Sequence, residues 1–314
     1  MLDPELTPFL EAWDAGWTRI AADATPAERR AFFEVLAREM RLDTPPEVET
    51  DAEHWIDSPA GPVRVRLFRH RDGGSQPALI YMHGGAWMQG SPETHWDITA
   101  RIAAWNCQTV VSIDYAKAPE HRFPAAVEQC AATVRWCFAE AGALGIDPAR
   151  IAVGGDSAGG NLAAAMTLKF RDSDCPLSAQ LLIYPAVEFA HDRPSYRENA
   201  DGPLIKTAGM DAVAAMYCPD PATRRDPLAA PLLAGDHARL PPAFVAVAEH
   251  DPLRDDGIAY AEALANAGVP VLLDRGTGLI HGYLRAMAYC AASRDGLAAM
   301  CGWLRQRNER RSAA

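Results

Sequence analysis

The chain has 314 residues, 49% of them hydrophobic, which is enough to bury a sizeable core. Its net charge of −11 argues against nucleic acids and anionic membranes as partners, because both attract basic surfaces. The seven cysteines form no CxxC pair, the first residues do not resemble a signal peptide, and no apolar stretch approaches the roughly 18 residues of a membrane span. We therefore expect a cytoplasmic protein.

The first 50 residues predict helices. Trp13, Trp17 and Ile20 recur at helical spacing, and Thr25-Pro26 is typical of a capped helix start. Because these helices precede the first strand, we expect residues 1–50 to form an N-terminal helical cap segment over the sheet.

From about residue 53 the sequence predicts strands. Short apolar runs suit strands buried on both faces of a parallel sheet, and they occur at residues 78–82, 109–113, 151–153, 180–184, 243–247 and 271–273. Helical stretches separate most of them, which predicts an α/β fold with a mostly parallel central sheet flanked by helices. The alternation breaks after Tyr184, so we predict a main domain of residues 51–187 and 223–314 and a cap insertion at 188–222.

A sharp turn is predicted at Gly155-Asp156-Ser157-Ala158-Gly159, between a strand and a helix start. This G-x-S-x-G pattern is typical of a nucleophile elbow, in which a tight turn lifts the serine Oγ clear of the sheet. The alternative is a glycine-rich turn that only packs or binds phosphate. We favour Ser157 as a catalytic nucleophile and the N–H of Ala158, at the helix start, as a donor to negative charge.

A second glycine turn follows the strand at 78–82. Acyl transfer needs N–H donors aimed at the oxygen that becomes negative, and one lost donor costs roughly 3 kcal/mol. We predict that Gly84 and Gly85 supply such donors together with Ala158 and that His83 braces the loop. An ordinary glycine turn is the alternative.

A serine nucleophile needs a general base, and the base needs an orienting carboxylate. The order nucleophile, acid, histidine favours Asp251, after the strand at 243–247, and His281, after the last strand. His250 is a rival base. Asp255 and Asp256 are rival acids, although both fall at a helix start, where capping is the ordinary role. The base must be neutral, so we expect activity to fall below about pH 6.

Together these segments resemble the hormone-sensitive-lipase-like carboxylesterases, the bacterial family IV of the α/β-hydrolase superfamily. The resemblance covers residues 53–285 and rests on these marks: His83-Gly-Gly-Ala-Trp87, Asp114-Tyr-Ala-Lys-Ala-Pro-Glu-His121 followed by Phe123-Pro-Ala-Ala126, Gly155-Asp-Ser-Ala-Gly159, Tyr184-Pro185, Asp251-Pro-Leu253 and His281-Gly-Tyr283. It implies an α/β-hydrolase fold with a helical cap, hydrolysis of short-acyl esters through an acyl-enzyme, no cofactor and frequent homodimers. Neither a zinc-binding H-E-x-x-H pattern nor a P-loop occurs, so we expect no metal.

Three sites depart from the family pattern. Ala86 replaces a third glycine, Tyr283 stands where phenylalanine is common, and Ala116-Lys117 stands where the family usually has Arg-Leu before Ala-Pro-Glu. Because that arginine normally joins a polar network around the glutamate, we expect this loop to be held differently here.

The substrate pocket is expected to be apolar. We predict that Trp87, Leu204, Ile205 and Met210 line it. The aromatic residues of the N-terminal helices either line it as well or pack within the cap. An amidase or formamidase would use the same triad and is the alternative function; a binding protein that has lost catalysis is a further one.

Overall fold

A computed structural model describes residues 1–50 and 52–312. Residues 51, 313 and 314, which the predicted main-domain ranges include, lie outside the described residues. The strands are β1 (Val48–Glu49), β2 (Glu53–Ile56), β3 (Val63–His70), β4 (Gln76–Met82), β5 (Thr109–Asp114), β6 (Ile146–Asp156), β7 (Gln180–Ile183), β8 (Ala243–Ala246) and β9 (Val271–Asp274). The helices are α1 (Thr7–Trp17), α2 (Pro26–Glu39), α3 (Trp96–Asn106), α4 (Ala125–Ala139), α5 (Ala141–Leu144), α6 (Ala158–Lys169), α7 (Pro194–Glu198), α8 (Met210–Tyr217), α9 (Arg254–Asn266) and α10 (Ala291–Ser312).

The nine strands of the described residues form one sheet in the order β1-β3-β5-β4-β6-β7-β8-β9, with β2 paired to β3. The pairings from β5 through β4 and β6 to β9 are parallel, whereas β3 runs antiparallel to β1, β2 and β5. The predicted α/β fold with a mostly parallel central sheet is therefore confirmed. Loops after the parallel strands meet at one edge, where such folds place their ligand sites.

The central strands bury both faces. In β4, Ile80 and Met82 contribute to one core cluster and Leu79 and Tyr81 to the other, as the period of two in a strand requires. Helices α4, α6 and α9 cover the first face, and α3 and α10 cover the second. Because helices cover both faces of the sheet, side chains on both faces of the central strands are apolar, which explains the uninterrupted apolar runs in the sequence.

Strand β9 differs from the prediction. We expected its apolar run to be buried on both faces, but Leu272 is 44% exposed. Its position explains the difference, since β9 is the last strand of the order and pairs only with β8. Helices α3 and α10 were not predicted.

The N-terminal segment forms α1 and α2, and α2 begins at the predicted cap. Thr25 Oγ1 accepts from the N–H of Glu28 at 3.3 Å, and the Glu28 carboxylate accepts from the N–H of Thr25 at 2.8 Å. Among the described helices, none has both the length and the apolar character needed to cross a membrane.

Candidate active site

Three predicted side chains come together at the edge where the parallel strands end. Ser157 Oγ lies 2.9 Å from His281 Nε2, and His281 Nδ1 lies 2.8 Å from Asp251 Oδ2. Asp251 is fully buried, and its second oxygen accepts from the N–H of Leu253 at 2.8 Å. The acid is thus fixed on one side by backbone and on the other by the imidazole. This connection of hydroxyl, imidazole and carboxylate is the arrangement required to activate a serine.

The rival residues have other partners. His250 lies beside Glu249, with 3.9 Å between Nε2 and the carboxylate. Asp255 accepts from the N–H of Ser195, and Asp256 accepts from the hydroxyl of Tyr196. Both aspartates therefore bind the segment around α7 rather than a histidine.

The backbone of Ser157 is strained, with φ 56° and ψ −119°. The adjacent strand end supports this conformation, because Ser157 N donates to Ile183 O at 2.8 Å and Ala186 N donates to Ser157 O at 3.3 Å. A Cβ on Gly159 would lie 1.9 Å from Met82 O, so glycine is needed where α6 passes the end of β4. The turn is held on both sides of the nucleophile.

In the loop after β4, one of the predicted donors, Gly84, is already bonded. The N–H of Gly84 donates to Asp156 Oδ1 at 2.9 Å and is already satisfied. Gly85 has φ 129° and Ala86 has φ 56°, and the turn closes through bonds from Met88 N and Gln89 N to Gly85 O. Among the described residues, no acceptor is bonded to the N–H groups of Gly85, Ala86 or Ala158.

Ala86 is therefore a candidate donor that sequence reasoning missed. We predicted donors at glycines because glycine allows a loop to turn its N–H groups inward. Alanine in a sequence does not indicate such a conformation. Ala86 and Ala158 line the same cavity as Ser157.

Asp156 connects the loop to the elbow. Its carboxylate is buried, accepts from Gly84 N and from the Tyr81 hydroxyl at 2.8 Å, and lies 3.3 Å from His95 Nε2. Burial opposes ionisation, but His95, Arg285 and the Tyr81 hydroxyl outweigh it and hold the pKa of Asp156 well below its usual range. The carboxylate consequently stays charged.

Comparison with known proteins identifies the family. Residues 79–285 match the α/β hydrolase fold family. The chain is 40% identical to carboxylesterase NlhH of Mycobacterium tuberculosis over 95% of both chains and 37% identical to an arylesterase of Saccharolobus solfataricus over 90% of this chain and 92% of the relative. The chain belongs to the α/β-hydrolase family.

A solved structure agrees with this assignment. The hyperthermophilic esterase from Pyrobaculum calidifontis superposes with a TM-score of 0.89 at 35% identity, covering 97% of this chain and 98% of that one. The resemblance to the hormone-sensitive-lipase-like carboxylesterases is therefore confirmed, and this α/β-hydrolase is a carboxylic ester hydrolase.

Ser157 of this hydrolase lines a cavity of about 620 Å³. Its lining includes all four residues that we predicted for the pocket: Trp87, Leu204, Ile205 and Met210. The N-terminal helices contribute Arg29 to the described lining, while Trp13, Trp17, Phe32 and Phe33 pack against one another between α1 and α2. Sequence reasoning missed Glu188, a buried carboxylate in the same wall.

The loop before α4 is held by the N-terminal segment of the hydrolase. Arg30, on α2, donates to both carboxylate oxygens of Glu120, to Ala118 O at 2.8 Å and to Met88 O at 2.5 Å. Lys117 instead binds Asp114 at 2.5 Å. Arg30 from the N-terminal segment thus takes the place of the arginine that the family usually carries inside this loop. Through Met88 O, Arg30 also contacts the loop after β4, which carries the unbonded N–H groups of Gly85 and Ala86.

Proposed function

We propose that this chain hydrolyses short-acyl carboxylic esters in two steps through an acyl-enzyme on Ser157. The observation that carries the proposal is the continuous path from Ser157 Oγ through His281 to buried Asp251, opening into one cavity with unbonded N–H groups. A nucleophile, a base and an orienting acid at hydrogen-bond distances are the parts that this chemistry needs.

In the first step His281 Nε2 takes the proton of Ser157, and Oγ attacks the carbonyl carbon of the ester. Negative charge develops on the carbonyl oxygen, where the N–H groups of Gly85, Ala86 and Ala158 donate to it. The intermediate collapses, and His281 returns the proton to the leaving alcohol. Asp251 keeps His281 Nδ1 protonated and stabilises the transient imidazolium.

In the second step water replaces the alcohol. His281 takes a proton from that water, the hydroxide attacks the acyl carbon, and the same N–H groups bind the new oxyanion. Collapse releases the carboxylic acid and restores the Ser157 hydroxyl. The two steps need no group beyond the residues named and water.

We assign the cap to residues 1–50 and 188–222, because Arg29, Leu204, Ile205 and Met210 all come from these segments. A cavity of about 620 Å³ under this cap accommodates a short acyl chain and a small alcohol. We expect p-nitrophenyl esters from acetate to hexanoate to be cleaved and long triglycerides not to be. Faster turnover of a long-chain lipid than of a butyrate ester would contradict this size limit.

The decisive experiment is intact-mass detection of a fluorophosphonate adduct. The wild-type chain should gain one adduct and Ser157→Ala none. His281→Gln should lose roughly 10⁴-fold or more in kcat, whereas His250→Gln, its matched control, should retain activity. An adduct that persists in Ser157→Ala would overturn the assignment. Turnover of p-nitroacetanilide above that of p-nitrophenyl acetate would favour the amidase alternative.

A further inference from the structure

Glu188 is a buried carboxylate in the wall of the catalytic cavity. Only 8% of its surface is exposed, and Phe189, Leu253 and Val213, which line the same cavity, are apolar. Among the described residues of the lining, Glu188 and His281 are the only ionisable side chains less than one-tenth exposed. His281 belongs to the triad, so the mechanism leaves Glu188 without a role.

One oxygen of Glu188 is satisfied and the other is not. Oε1 accepts from Arg193 Nε at 2.8 Å and from Arg193 Nη2. No donor among the described residues is bonded to Oε2. A carboxylate offers about four acceptor positions, so Oε2 keeps positions that a ligand can use.

An unbonded carboxylate oxygen in apolar surroundings is unfavourable. Water supplies the missing donor in an open cavity. A purely apolar ester that fills the cavity displaces this water and has no donor for Oε2. An ester that carries its own O–H or N–H group replaces the lost bond. The site thus distinguishes the two kinds of ester by the presence of a donor.

The charges around Glu188 favour a directional donor over a bare charge. Arg193 donates to Glu188 from two nitrogens and offsets its formal charge in part, because the same guanidinium also lies 3.2 Å from Asp256. The two lining cations, Arg29 and Lys206, are exposed to solvent, which screens their attraction for an anionic substrate. The rings of Trp87 and Phe189, 5.7 Å apart, leave apolar surface for the carbon chain.

We propose that Glu188 forms a polar subsite that binds an O–H or N–H donor at the end of a short aliphatic ester. The proposal rests on the ester hydrolysis proposed above and narrows its substrate class to esters with a terminal hydroxyl or an uncharged N–H group. Within the described part of the chain, this subsite lies in the same cavity as Ser157, so it acts on the bound substrate directly.

Two pairs of isomers test the proposal without changing substrate size. On the alcohol side, 4-hydroxybutyl acetate carries a donor and 3-methoxypropyl acetate does not. On the acyl side, methyl 5-hydroxypentanoate and methyl 4-methoxybutanoate form the same contrast. We expect kcat/KM for the hydroxyl isomer to exceed that of the ether by about tenfold or more in at least one pair, as bonds to charged groups imply.

Variants then assign the preference to Glu188. Glu188→Gln and Glu188→Leu should each bring the ratio of kcat/KM for the hydroxyl isomer to that for the ether isomer close to one, while the ether isomer is still hydrolysed. Asp211→Asn is the matched control, because Asp211 is a carboxylate of the same cap insertion but 90% exposed, and it should keep the wild-type ratio.

Two results would overturn the subsite. One is a ratio near one in both pairs for the wild-type enzyme, and the other is a preference that survives both Glu188 variants. If the wild-type enzyme hydrolyses the ether isomers and Ser157→Ala does not, the proposed ester hydrolysis holds even when the subsite fails. Melting temperatures of the two Glu188 variants show whether loss of the Arg193 pair has disturbed the fold instead.

Discussion

The main-chain N–H of Gly84 donates to Asp156 Oδ1 at 2.9 Å, and this bond joins the loop after β4 to the residue that precedes the nucleophile. The position of the Gly85 and Ala86 N–H groups relative to Ser157 therefore depends on the side chain of Asp156, which lies inside the G-x-S-x-G pattern. The pattern itself leaves that residue open.

Asp156→Asn tests this dependence. Asparagine has the same shape but lacks the charge that His95 and Arg285 stabilise, so the loop should shift slightly from its productive position. We expect kcat for p-nitrophenyl butyrate to fall about 10- to 100-fold with a much smaller change in KM, because donors to the oxyanion act in the transition state. Asp220→Asn, in the cap insertion, serves as control. An unchanged kcat would show that Asp156 does not position the loop.

Arg30→Ala tests the anchor from the cap. Its removal leaves Met88 O and Ala118 O without their donor and frees Glu120. We expect kcat to fall roughly tenfold, because small displacements of catalytic groups have effects of this size or larger. Arg19→Ala is the matched control, since Arg19 pairs with Glu39 within the cap, where both side chains are about half exposed. Equal losses in the two variants would assign the effect to cap stability instead.

Asp256→Asn tests the pH dependence of stability. Burial raises the pKa of Asp256 to about 7 from an ordinary 3.8. Between these values the folded state holds a proton that the unfolded chain releases, so this group lowers the free energy of unfolding as pH rises toward 7. The stability of Asp256→Asn relative to wild type should therefore increase from pH 5 to pH 7 and then level off, as urea melts would show.

Asp255→Asn is the control for this measurement. The pKa of Asp255 is lowered, mainly by bonds from Arg254 and Ser195 that outweigh its burial. Its contribution is therefore complete above pH 5 and is lost only under more acidic conditions. A difference between Asp256→Asn and wild type that stays constant from pH 5 to 7 would contradict the raised pKa.

Gly159→Ala tests the close contact at the elbow. The added methyl group would lie 1.9 Å from Met82 O, and the backbone of β4 or α6 must move to accept it. We expect a loss of about 1–3 kcal/mol in the free energy of unfolding, together with most of the activity. Gly235→Ala, which meets no described atom within 4 Å, should change neither. A wild-type melting temperature for Gly159→Ala would contradict the contact.

Sequence patterns identified the features that depend on local spacing. Glycines on either side of Ser157 are required by the close approach of strand and helix, so the elbow could be predicted from five residues. Apolar runs predicted the strands, but such a run does not distinguish a central strand from an edge strand, and β9 was assigned too much burial. Leu272 is exposed because nothing pairs beyond β9 in the described sheet.

The features that sequence reasoning missed depend on distant partners. We predicted Gly84 as a donor, but its N–H bonds to Asp156 at the end of β6, which the local sequence does not indicate. Arg30 binds Glu120 across 90 positions, and neither residue indicates the other. Glu188 lies in a loop beside apolar residues, and only the folded cavity shows that one of its oxygens has no bonded donor among the described residues.

The contacts of Arg30 also bear on protein engineering. Exchanging N-terminal helices between related esterases is an obvious route to new substrate ranges, because these helices contribute to the pocket wall. In this enzyme a graft of residues 1–50 would remove the guanidinium that supports Met88 and Ala118. A successful chimaera would need either an arginine at the same position of the incoming helix or a replacement anchor built into residues 116–120 of the recipient.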